Sequence, residues 1–145
     1  MDRWFPRVAW HHIERTLLIF GVLGASASVA TGFIAEDLLE RHDELVEMHE
    51  FFALSTLLSF GLLLLGECAT FMNAHFATHR TNAENTLHRL STVLERVLGN
   101  RTVSCLLAFV GLIAIWLTGL IGGVMAHGTS VDPLAEPILK LLGPY

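Results

Sequence analysis

Three stretches of this chain, residues 16–35, 51–66 and 102–126, carry no charged side chain at all. Crossing ~30 Å of hydrocarbon takes about 20 helical residues at ~1.5 Å each. Two of the stretches meet that length. The middle one meets it if its helix continues past Glu67 to Met72, which places Glu67 near a membrane face. In lipid the backbone must satisfy its own hydrogen bonds, so each stretch reads as a helix. Composition agrees: 52% of the chain is hydrophobic and 16% charged, against about a quarter charged in soluble domains. The expected fold is all-α, a bundle of three transmembrane helices at about 14–35, 46–72 and 102–126, forming a single membrane domain over 1–145.

A cleaved signal peptide competes for the first stretch, because Arg3, Arg7 and Arg15 precede it and Ala25-Ser26-Ala27 resembles a cleavage site. The apolar run continues past that point to Ala35, which favours a retained helix. Three spans place the termini on opposite sides of the membrane. The N-terminal side carries Arg3, Arg7, Arg15, Arg80, Arg89, Arg96 and Arg101, and the other only Arg41 and Lys140. The positive-inside bias makes the N-terminus cytoplasmic and the C-terminus periplasmic, as in a bacterial inner-membrane protein. Trp4, Phe5 and Trp10 then fall in the cytoplasmic aromatic belt. Cys68 and Cys105 lie towards that same reducing side and read as two small apolar residues, although a disulfide is not excluded.

The connections also carry information. Glu36, Asp37, Glu40, Asp43, Glu44, Glu47 and Glu50 crowd the outer connection, and Asp132 and Glu136 follow helix three. Such a face is either simply solvated or steers a basic soluble partner, such as a periplasmic redox protein. On the inner side, Thr81-Asn82-Ala83-Glu84 reads as a capping box. Leu87, Leu90, Leu94 and Val97 then recur at helical spacing, and Gly99 ends the run. We expect helix two to extend into the cytoplasm to about His79 and a cytoplasmic helix to return over about 83–98. The apolar face of that helix must pack on helix two, on a partner or on the bilayer. An amphipathic stretch at about 134–142 is expected to lie along the outer interface.

Eight histidines occur, at positions 11, 12, 42, 49, 75, 79, 88 and 127. His49 precedes the second apolar stretch and His127 follows the third, so antiparallel helices would bring both to one depth at the outer face. Gly119 and Gly123 share a face with His127, and Ala53 lies one turn inward of His49. Gly24, Ser28 and Gly32 make a similar stripe on helix one. Small residues at four-residue spacing commonly serve close helix packing. They would also leave a slot for a porphyrin, with the two imidazoles as axial ligands of haem b. Arg41 or Lys140 would meet the propionates, and His42, two turns out from His49, is an alternative ligand or propionate contact. Glu47 and Glu50 raise a non-haem metal site, but the Glu-x-x-His signature of di-iron bundles is absent. On the inner side, His75 and His79 with His12 form a second, weaker candidate site for a metal or a second haem.

The run from Ile115 to Gly128, with Gly122-Gly123 and then His127-Gly128, resembles the last helix of a bacterial multi-pass membrane-protein family of unknown function. Thr31-Gly32 closing helix one and His49 opening helix two fit the same pattern, and the likeness covers about residues 16–132. It implies a membrane domain associated with redox modules and assigns no reaction. Members usually carry a further N-terminal helix bearing histidine, where this chain has only Trp10-His11-His12. The functional expectation is a haem b electron-transfer subunit, working between a periplasmic donor and a quinone or another membrane subunit, within a larger complex or a homo-oligomer. The alternatives are a cofactor-free structural or assembly subunit and a pigment-binding subunit whose histidine holds a chlorophyll-type magnesium. No nucleophile–base arrangement or phosphate loop points to hydrolytic or transfer chemistry.

Overall fold

The computed structural model describes residues 10–39, 44–76, 84–128 and 133–143. All of its regular structure is helical: α1 (Trp10–Leu39), α2 (Glu44–Phe76), α3 (Glu84–Leu98), α4 (Arg101–His127) and α5 (Ala135–Leu142). α1, α2 and α4 are each long and apolar enough to cross a membrane. The all-α, three-span architecture is therefore present, with the short helices close to their expected places. The proposed capping residue Thr81 lies outside the described residues.

α2 and α4 form the main contact of the bundle. Their register is fixed where glycine lets the helices close. A Cβ on Gly111 would sit 2.9 Å from the Phe60 ring and 3.1 Å from the Ser59 side chain. One on Gly122 would sit 3.1 Å from the His49 ring. Residues near 60 thus oppose 111, and residues near 49 oppose 118–122, as antiparallel helices require. The two helices end level where Glu44 meets His127, with α5 packed across both, and α2 runs on past the start of α4 at the other end, where α3 covers it.

At the C-terminal end of α2, α3 packs along its last turns. Asn73 donates its amide N–H to Glu95 and accepts from the Ser91 hydroxyl at 2.7 Å, using both halves of the amide. Leu98 packs on Gly66, where a Cβ would approach its side chain to 2.9 Å. The turn into α4 is short. Gly99 is required there because a Cβ would strike the Glu95 carbonyl oxygen, and Asn100 caps α4 by accepting from the Thr102 N–H at 3.0 Å.

At the end where Glu44 and His127 meet, α5 packs against α2 and α4. Ala135 (0% exposed) and Leu139 (2%) join Leu120, Ile121 and Val124 in the buried cluster, with Leu45, Met48 and Phe52 of α2 packed around it. Only one narrow stripe of α5 is buried; Leu134 and Leu141 remain exposed. Lys140 bonds Glu136 at 2.7 Å on the far side and holds that carboxyl below its ordinary pKa range.

α1 touches only α2 among the described residues. Its half-buried positions are Arg15, Leu18, Val22, Ala25 and Val29, a single stripe at helical spacing. Arg15 reaches Glu67 at 3.1 Å, and its guanidinium lies 5.7 Å from the Phe71 ring centre. Each charge directly flanks an uncharged stretch, so the pair neutralises both at the ends of those stretches.

Candidate functional site

Among the described candidates His12, His49 and His127, the structure places His49 inside a helix contact. It lies half-buried on the α4-facing side of α2, with Nδ1 3.1 Å from the backbone carbonyl oxygen of Thr118. A carbonyl can only accept, so Nδ1 carries the proton and donates. In the neutral ring that leaves the lone pair on Nε2. A backbone carbonyl on Nδ1–H is a recurrent way of orienting a metal-binding histidine and fixing its tautomer. Gly122 makes this approach possible, since its missing Cβ is what admits the ring edge. The hydroxyl of Thr118 turns back to Ala114 O at 2.8 Å, leaving the Thr118 carbonyl as the partner that His49 meets.

His127 does not share this position. It is the last residue of α4 and is exposed. It follows Gly122 by five residues and Thr118 by nine, which is about 7.5 and 13.5 Å along the axis and roughly half a turn around it from Thr118. The matched depth expected from the sequence assumed that His49 opens its helix, whereas α2 begins at Glu44, which the register sets near His127, so His49 lies more than one turn inward of the α4 end. The structure therefore does not bring His49 and His127 to one point.

The expected porphyrin slot also takes a different form. Gly119 and Gly123 are one residue on from Thr118 and Gly122, so they point about 100° away from α2. A Cβ on either would meet nothing within 4 Å, and the same holds for Gly24 and Gly32 on α1. These glycines line open helix faces. Ala53 is half-buried one turn inward of His49, and the fully buried Ile121 packs with Leu45, Met48 and Phe52 of α2. An open apolar groove of about 800 Å³ lies elsewhere, between α1 and α2, lined by Val22, Leu58, Leu62 and Leu65 among others, with no histidine in it.

Of the remaining candidates, Lys140 is engaged with Glu136, and His12 is exposed at the start of α1. His75 lies in α2 without a described side chain, and Arg41, His42 and His79 lie outside the described residues. Among the described residues no three His, Cys, Asp or Glu side chains gather as a metal site. Glu44 and Glu47 are exposed in the first turns of α2, and both cysteines are free and exposed. Thr118 and Gly122, the two residues that define the setting of His49, were not singled out by sequence reasoning. Gly122 was visible only as half of a Gly-Gly pair. A carbonyl partner leaves no sequence signal, because every residue has one.

Comparison with known proteins finds no match: no family model, no curated protein and no solved structure.

Proposed function

We propose that this protein is a haem b-binding subunit of a membrane electron-transfer assembly, with His49 as one axial ligand through Nε2. The observation that carries the reading is the Nδ1–H bond to the Thr118 carbonyl, which leaves the ligating nitrogen bare. In this reading Nε2 of His49 would hold the haem iron and any further ligand would be a residue other than His127, which is exposed on a different face of α4; His42 or another polypeptide of the assembly would supply it. When bound, the haem supplies one-electron chemistry. The chain supplies an imidazole of fixed tautomer at the outer end of α2, held against α4 so that it cannot rotate away.

The membrane in this proposal is the bacterial inner membrane, with the N-terminus cytoplasmic and His49 towards the periplasm. The exposed Glu44 and Glu47 beside it would steer a basic periplasmic redox partner, and the quinone role stays with a neighbouring subunit. The likeness of the Gly122-Gly123…His127-Gly128 run to a family associated with redox modules supports the same direction.

A second reading, a cofactor-free packing subunit, is favoured by the open glycine stripes at Gly24/Gly32 and Gly119/Gly123, which are the surfaces that close-packing membrane helices use. One experiment separates the two. The protein is purified in detergent from cells supplied with haem, and its oxidised and dithionite-reduced spectra are recorded. The haem reading predicts a Soret band and a sharp reduced band in the green. Both disappear in His49→Ala, with unchanged gel-filtration behaviour, and persist in His127→Ala. A colourless wild-type preparation leaves the packing reading standing; a far-red band instead indicates a chlorophyll-type pigment.

A further inference from the structure

The amphipathic helix α3 has an outer face that the bundle does not use. Ser91, Glu95 and Leu98 face α2, through Asn73 and Gly66. Leu90, Val93 and Val97, spaced three and four residues apart, form a separate stripe that is more than half exposed at every position. Arg89 and Arg96 are exposed beside that stripe, and Arg101 follows at the start of α4. Between Arg89 and Arg101 the only acidic residue is Glu95, and Asn73 holds it on the α2 side. Among the described side chains, from Arg89 on, the outward surface is therefore apolar and cationic with no carboxylate on it.

Its position along the bundle decides what can cover it. Leu98 sits against Gly66, next to the Arg15–Glu67 pair that marks where α1 and α2 leave their uncharged stretches. The stripe thus begins at the membrane edge. From Val97 to Leu90 it runs for about 10 Å along the helix axis. A headgroup layer is roughly 5–8 Å deep on each side of the hydrocarbon. An apolar stripe that starts at this edge and carries arginines along one side matches acyl chain ends below and anionic phosphates around them, with the arginine stems lying along the apolar surface and their heads in the phosphate layer.

We propose that α3 docks onto anionic phospholipid headgroups of the bilayer in which the protein sits, through Leu90, Val93 and Val97 flanked by Arg89 and Arg96. This is independent of any cofactor at the other end of the molecule.

The test uses the full chain with Cys68→Ala and Cys105→Ala, a single Val93→Cys and a bimane label. The protein is reconstituted into vesicles of phosphatidylcholine with phosphatidylglycerol, one or the other lipid being brominated. The proposal predicts quenching by brominated phosphatidylglycerol in preference to brominated phosphatidylcholine, with aqueous iodide having little effect. Adding Arg89→Gln and Arg96→Gln, both at exposed positions, lowers that preference about fivefold per arginine, since a basic residue near an anionic surface contributes ~1 kcal/mol. Strong iodide quenching would show a water-facing stripe and overturn the proposal. Protection from all three quenchers would show that protein, such as a second copy of the chain, covers it. Equal quenching by the two lipids, or a preference unchanged in the double variant, would remove the anionic recognition.

Discussion

The His49 imidazole is held by a single carbonyl, and the consequence can be read at the atoms concerned. Nδ1 donates to Thr118 O at 3.1 Å, so solid-state ¹⁵N NMR of the protein in lipid, without haem, should find the proton of the neutral ring on Nδ1 rather than on Nε2. The reverse tautomer would remove the basis for Nε2 ligation. The glycines that set the helix register make a second expectation. Gly111→Val forces a side chain into the Phe60 ring and the Ser59 side chain, and Gly122→Val forces one into His49. Overpacking of this kind costs about 1–3 kcal/mol, measurable as a lower midpoint of unfolding in mixed detergent. Gly119→Val meets no neighbour and should leave the midpoint within about 0.5 kcal/mol of wild type. Histidines are easy to select in a membrane sequence because ionisable groups are rare there. Their partners are not, since a main-chain acceptor and an absent Cβ are invisible until the helices are in register.

At the scale of the elements, α1 is the most weakly held. It rests on one stripe against α2 and on the Arg15–Glu67 pair, which is partly screened at 28% and 37% side-chain exposure. A double-mutant cycle with Arg15→Gln and Glu67→Gln should give a coupling of at most about 1 kcal/mol, and loss of the pair should loosen α1 from α2 without disturbing the α2–α4 contact. A site-specific cross-link between α1 and α2 would weaken, while one across Ser59 and Gly111 would not. The helices themselves were largely legible: uncharged stretches located the spans, and helical spacing with Gly99 located α3. The packing of α5 against α2 and α4 was not, because Ala135 and Leu139 form a pattern equally suited to a membrane surface and to a bundle. The Asn73–Ser91–Glu95 junction was equally hidden, since three common polar residues on two helices announce nothing until they meet.

At the scale of the molecule, the sequence counted the spans correctly but took His49 as the start of its helix. The register at Gly111 and Gly122 sets Glu44 near His127, so His49 lies more than one turn inward of the α4 end. At the other end the same register leaves α2 running past Arg101, and α3 packs along that overhang. The uses proposed for the two ends, a ligand at His49 and lipid contact along α3, both presuppose that they lie on opposite sides of one membrane. The most direct measurement is thiol accessibility in intact spheroplasts. In the cysteine-free background, single cysteines replace Arg89 on α3 and Leu141 on α5, which is 85% exposed. A membrane-impermeant maleimide added from outside should label Leu141→Cys and reach Arg89→Cys only after lysis. Labelling of both from the same side would contradict the three-span topology, and labelling of Arg89→Cys alone from outside would invert the orientation on which the placement of His49 depends.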